Sequence, residues 1–168
     1  NKNVAQLIKF QPPILRGTGS EIMAVAGLSG GGKGVDSTST SNDALDAAIS
    51  IAKKNKIIVA VTGAIDYVTD GNITYAIEGG HEMMTKVTAT GCALTCLIGA
   101  AIAVGENKAL STASIIGIYG LAGEMASKVS SGPGSLRMNL LDNLYNISTD
   151  EIISLSLIHI SEPTRPST

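Results

Sequence analysis

Thr88-Ala89-Thr90-Gly91-Cys92 is a run of small residues that leads straight into an apolar, helix-forming stretch. The first turn of a helix leaves backbone N–H groups unpaired, and the peptide dipoles add partial positive charge at the same end. Small side chains let an anion reach that backbone, so the segment suits a transferring phosphoryl group. A cysteine in the first turn sits in the same field, which favours its thiolate. Such a thiolate can take the proton of an attacking alcohol. The alternative is a buried, inert cysteine at a tight helix start, because free cysteines mostly behave as small hydrophobes. Spacing by itself leaves both readings open.

Other residues carry weaker signals. Arg16 follows a strand end, where a guanidinium can grip phosphate oxygens, although most arginines are surface residues. Glu21 by itself reads as a helix-start acid. Thr62-Gly63 ends an apolar strand, and a threonine there is by itself unremarkable. Gly30–Gly34 with Lys33 superficially resembles a phosphate loop but lacks the spacing and the Ser/Thr directly after the lysine. It reads as a turn that sets Asp36 either near a nucleotide or in a structural place. His81 reads as structural, and Cys96, one turn beyond Cys92, as packing.

These residues need elements to position them. Asn1–Phe10 reads as the end of a helix, stopped by Pro12 and Pro13. Ile14–Leu15 is a short strand, and Ser20 can cap a helix over Glu21–Ala26. Ser41 or Asn42 caps a helix to about Lys54, where Leu45, Ala48, Ile49, Ile51 and Ala52 recur at helical spacing. Ile57–Thr62 is a β-branched run without polar alternation, which suits a strand covered on both faces in a parallel sheet. Asp70-Gly71 is a hairpin signal between Tyr67–Val68 and Ile73–Ile77. A polar loop, Glu78–Thr90, precedes long helices from Gly91 to about Val104 and from about Lys108 to Lys128. Gly132-Pro133-Gly134 breaks the chain before a last helix over about Leu136–Tyr145. Strands that alternate with helices predict a three-layer α/β domain whose active site lies at the carboxyl edge of a mostly parallel sheet.

The 168 residues suffice for one domain with a real core, and 44% of them are hydrophobic. Charged residues make up 15%, too few relative to the apolar content for a disordered tail. A net charge of −2, no basic run and 3% aromatics argue against nucleic acid as a partner. No apolar stretch reaches the roughly 20 uninterrupted residues of a membrane span, and Ala93–Val104 comes closest. No signal-peptide pattern opens the chain. Two cysteines four residues apart are too few and too close for a disulfide framework, which predicts a reducing, cytoplasmic setting. The chain opens on Asn1 within a helix-like run. At the other end, LSLIHISEPTR over Leu155–Arg165 resembles a translated sequencing-library adapter. Residues 1–154 are therefore expected to be part of one domain of a longer protein, with 155–168 a non-native tail; the alternative is a natural polar tail.

His81–Cys92, HEMMTKVTATGC, resembles the signature of the hydroxyethylthiazole kinases, which belong to the ribokinase-like superfamily. ILRG at Ile14–Gly17, GGGKGVDS at Gly30–Ser37, VTGAIDYVTDG at Val61–Gly71 and GPGSLRMNLLDNLYN at Gly132–Asn146 agree in the same order. The resemblance covers nearly all of Asn1–Ser154. It implies a three-layer ribokinase-like fold with the N-terminal part missing. It also implies transfer of the γ-phosphoryl group of ATP to a thiazole alcohol, a step in thiamine synthesis, with Mg2+ as the metal.

The resemblance also distributes roles. Cys92 stands where the superfamily usually has an aspartate base, so it becomes the catalytic base, aided by the N–H groups of Gly91 and Cys92. Ala89 stands where the family commonly has a glycine that contacts the thiazole. Arg16, Thr62 and Gly63 become ATP contacts, and Glu21 holds magnesium through water. Thr18 stands where the superfamily usually has asparagine. The family further implies a homotrimer with sites between subunits. Two rival readings remain. One is another ribokinase-like enzyme, such as a pyrimidine kinase or a nucleotide-hydrate dehydratase, which usually carries aspartate at position 92. The other is an inactive fragment that only assembles.

Overall fold

The computed structural model describes residues 2–28, 37–158 and 160–161. They fall into two compact units, one reaching to Ala76 and one over Ile77–Ser161. The glycine-rich segment and Asp36 lie outside the described residues.

In the first unit, helix α1 (Lys2–Ile8) ends ahead of Pro12 and Pro13 and buries Ile8. Strand β1 (Ile14–Thr18) pairs in parallel with β2 (Ile58–Thr62), in a register that sets Arg16 beside Ala60 and Thr18 beside Thr62. β3 (Asp66–Thr69) returns antiparallel along β2, and β4 (Thr74–Ile77) follows β3 in the strand order. The sheet is thus mixed, not mostly parallel. The β2–β3 connection spans three residues, and a link that short can only turn the chain back on itself, because a parallel return needs a crossover. The apolar run at 57–62 reported burial on both faces correctly but carries no information on strand direction.

Helices α2 (Gly19–Val25) and α3 (Ser37–Asn55) cover one face of the sheet. Their Ile22, Ala44, Ala48, Ile51 and Ala52 pack with Val59 and Val61 in one core cluster. Burying a side chain the size of Val59 favours folding by about 1.5–3 kcal/mol. The cap of α2 is Thr18, not Ser20: Thr18 and Glu21 satisfy each other in a capping box. Helix α3 begins at Ser37, earlier than the Ser41/Asn42 start, because serine and threonine are tolerated in the first turns of a helix. The β3–β4 turn follows its sequence signal. Asp70 Oδ1 accepts from Asn72 N at 2.8 Å and Ile73 N at 2.9 Å. Gly71 there has φ +94°, and a Cβ on it would meet the backbone nitrogen of Lys53 at 2.9 Å.

The second unit is helical. A 3-10 turn over Glu82–Lys86 interrupts the expected loop, with His81 Nδ1 accepting from Met83 N at 3.2 Å. Helices α4 (Thr90–Val104), α5 (Lys108–Val129), α6 (Pro133–Asn146) and α7 (Thr149–Ile158) follow. α5 is central, packing against α4, α6 and α7 and burying Ile116, Tyr119, Ala122 and Ala126 among others. By length and composition α5, not Ala93–Val104, comes closest to a membrane span. Half of its apolar window is buried inside the protein, as in a core helix. α6 starts at Pro133, not after it, because a proline at the first helical position gives up an N–H that would be unpaired anyway. Ser148 and Glu151 form a reciprocal cap for α7, which runs through position 155.

Candidate active site

Residues that alternate along a strand share a face, so the β1–β2 register puts Arg16, Thr18, Ala60 and Thr62 on one side. Arg16 Nη2 donates to Thr62 Oγ1 at 2.7 Å, and Thr62 Oγ1 reaches Gly17 O at 3.5 Å. Arg16 Nε is buried without a hydrogen-bond partner among the described residues. A guanidinium has five donors and no acceptor, and its fork matches phosphate oxygens. Arg16 is the middle residue of β1 and does not follow a strand end, because the strand runs on through Gly17 and Thr18 in register with β2. Its guanidinium is braced on one side and keeps a donor without a partner among the described residues.

Glu21 stands one helical turn past β1. Its Oε2 accepts from Thr18 N at 2.8 Å and from Thr18 Oγ1 at 3.0 Å. The backbone bond, then the hydroxyl, hold the carboxyl below its ordinary range, and the Arg16 charge acts in the same direction. Glu21 is therefore ionised and oriented, with both cap bonds on one oxygen.

Asp66 completes this strand end. Its Oδ1 accepts from Gly63 N at 2.8 Å across the β2–β3 turn. Burial pushes its carboxyl up to about 6, against the opposing pull of the Gly63 N–H and of Arg16. Two cavities open here. One of about 290 Å³ is lined by Ser20, Met23, Val61, Thr62, Ile65 and Tyr67. The other, of about 300 Å³, is lined by Leu15, Arg16, Ser20, Glu21 and Val25 among others.

The second unit carries the helix start. Ala89 caps α4 in the left-handed region at φ 70°, and its methyl group offers no acceptor to the first-turn N–H groups. Thr90, Gly91 and Cys92 are the first three helical residues. Thr90 Oγ1 donates to Val87 O at 3.2 Å, while Tyr119 Oη donates to Thr90 O at 3.0 Å, tying the turn to α5. The preceding segment is docked in the same way. Gly80 N donates to Glu124 Oε1 at 2.9 Å, and a Cβ at Gly123 would collide with Met84.

Cys92 is exposed and is not buried among the described residues. Cys96 is exposed as well and does not pack within the described residues, where Leu94 and Ile98 are the inward positions of α4. The structure thus brings the Arg16 side chain, from the middle of β1, to Thr62 at the carboxyl end of β2, with Gly63 just beyond it and Glu21 in the first turn after β1. It gathers Ala89, Gly91 and Cys92 at the start of α4. Sequence reasoning singled out Thr18 but missed its capping role, and it missed Asp66 and Tyr119. The Thr-x-x-Glu spacing was a legible cap signal for Thr18. Gly63 and Asp66, three apart before a hairpin strand, were a weaker signal, and nothing local marked Tyr119.

Among the described residues no group of three or more His, Cys, Asp or Glu is placed to hold a metal ion. The donor available is the ionised Glu21 carboxylate. One hard oxygen ligand suits magnesium, which keeps several waters and takes further oxygens from phosphates.

A braced guanidinium, an oriented carboxylate and a small-residue helix start on an α/β frame are the parts that phosphate chemistry uses. The profile of the hydroxyethylthiazole kinase family matches residues 1–150, and the chain belongs to that family. It is 44% identical over 146 residues to the hydroxyethylthiazole kinase of Leptospira interrogans, covering 87% of this chain and 55% of that protein. It is 41% identical over 162 residues to the one of Arabidopsis thaliana, covering 95% of this chain and 58% of that protein. The solved hydroxyethylthiazole kinase protein of Pyrococcus horikoshii OT3 superposes with a TM-score of 0.80 at 30% identity, over 96% of this chain and 61% of that one. The chain thus spans a little over half the length of the curated relatives it matches.

Proposed function

We propose that the whole protein is a hydroxyethylthiazole kinase that transfers the γ-phosphoryl group of ATP to the primary alcohol of the thiazole, a salvage step in thiamine synthesis. The observation that carries this reading is the family match over residues 1–150, with relatives of that name at 41% and 44% identity. The wider fold is a three-layer ribokinase-like α/β domain. The protein works as a homotrimer with sites between subunits, in the cytoplasm, where two exposed free thiols stay reduced.

Arg16, oriented by Thr62, grips the nucleotide phosphates, and Gly63 lets them approach the backbone. Magnesium, when bound, neutralises charge on the phosphate oxygens, and Glu21 would hold it through water. Cys92 removes the alcohol proton as the oxygen attacks the γ-phosphorus. The new O–P bond forms as the bond to the bridging oxygen breaks, and ADP leaves. The N–H groups of Gly91 and Cys92 offset the developing negative charge. Ala89 borders the thiazole.

The test is a substrate screen of the full-length protein with ATP and magnesium, read by mass spectrometry. Phosphorylation of the thiazole alcohol in preference to pyrimidine alcohols is the expected result. Turnover of a pyrimidine alcohol with no thiazole phosphate would overturn the assignment.

A further inference from the structure

Continuing the β2–β3 register, in which Val61 faces Tyr67, sets Asp66 opposite Thr62. The antiparallel ladder puts directly opposed residues on the same face, so Asp66 shares the side that carries Arg16 and Thr62. Its Oδ1 takes the Gly63 N–H at 2.8 Å, closing the turn that begins where Thr62 ends. The Arg16 cation acts electrostatically on the same carboxylate. Asp66 thus pins the residue after Thr62. Its backbone position lies on the sheet face that carries Arg16 and Thr62.

We propose that Asp66 is a positioning residue for the nucleotide. By clamping the Gly63 N–H it holds Thr62 where its hydroxyl can accept from Arg16, and so aims the guanidinium at the phosphates. The carboxylate does not itself bind phosphate, which it would repel. The idea rests on the nucleotide reading of Arg16 and Thr62 given above. It predicts that the acceptor atom matters more than the charge, because the turn depends on a bond to Oδ1.

Asp66→Asn keeps an oxygen that can accept from Gly63 N–H, whereas Asp66→Ala removes it. The experiment measures ADP affinity by calorimetry on the full-length protein, together with the ATP KM and kcat of the transfer reaction. Asp66→Ala should weaken ADP binding and raise the ATP KM by about tenfold, with kcat reduced less than threefold. Asp66→Asn should recover most of that loss. Adding Asp66→Ala to Thr62→Val should cost less than the product of the single effects, since both act through Arg16. If Asp66→Ala binds ADP as the unmodified protein does, or if it lowers kcat alone in step with lost folded protein, the positioning role is wrong. If the unmodified protein does not bind ADP at all, the nucleotide reading of this strand end fails, and the role of Asp66 falls with it.

Discussion

Arg16 Nη2 and Thr62 Oγ1 lie 2.7 Å apart across two parallel strands, residues separated by 46 positions in the chain. The bond exists because β1 and β2 are in a register that sets Arg16 beside Ala60 and Thr18 beside Thr62. It fixes a cation whose buried Nε has no hydrogen-bond partner among the described residues. Replacing Thr62 by the near-isosteric valine should strip this brace and leave a second guanidinium nitrogen unpaired. The expected cost is about 1–3 kcal/mol of stability and a several-fold rise in the ATP KM, with Thr62→Ser close to the parent. Denaturant titration and steady-state kinetics check both halves.

Cys92 sits in the first turn of α4 and is exposed to a reactant. Cys92→Ala should lower kcat by about a hundredfold or more while changing KM little, the usual size of a lost general base. Cys92→Asp, which restores a proton acceptor, should retain substantial activity. Equal rates for the parent and Cys92→Ala would end the base assignment.

Ala89 adopts φ 70°, a conformation that costs an L-residue about 1–2 kcal/mol and glycine nothing comparable. Ala89→Gly should stabilise the folded protein by about 0.5–1 kcal/mol, once glycine's greater freedom in the unfolded chain is subtracted. An unfolding midpoint that falls instead would show that the methyl group contributes packing worth more than the strain.

Asp66 supplies a pH dependence whose sign can be worked out. Its ordinary value is 3.8 and burial raises it to about 6, so folding favours the protonated form. That contribution is complete below the unfolded value and is lost as pH rises through about 6. For a part-exposed carboxylate the effect should be about 1–2 kcal/mol. Thermal melts of the parent should therefore gain on those of Asp66→Asn as pH falls from neutrality toward about 4. Parallel curves for the two proteins would contradict the burial argument.

The sequence by itself determined most of the elements and the small-residue start of α4. Both are local properties. Proline stops, Asp-Gly turns, helical periodicity and a small-residue helix start act within a few residues, and each landed within a few positions of the observed element. The cap of α2 is equally local, because Thr18 and Glu21 stand in a Thr-x-x-Glu spacing.

What the tertiary structure decided is whatever depends on strand register and on residues far apart in sequence. An apolar run such as Ile57–Thr62 states that both faces are covered, but not that one neighbour is parallel and the other antiparallel. The pairing of Arg16 with Thr62 follows from that register, as does the place of Asp66 opposite Thr62. The Tyr119 bond to Thr90 joins residues 29 positions apart on two helices, so no local pattern could announce it. Backbone propensity acts over one turn or one strand; hydrogen bonds that orient a charged group are set by packing across the fold.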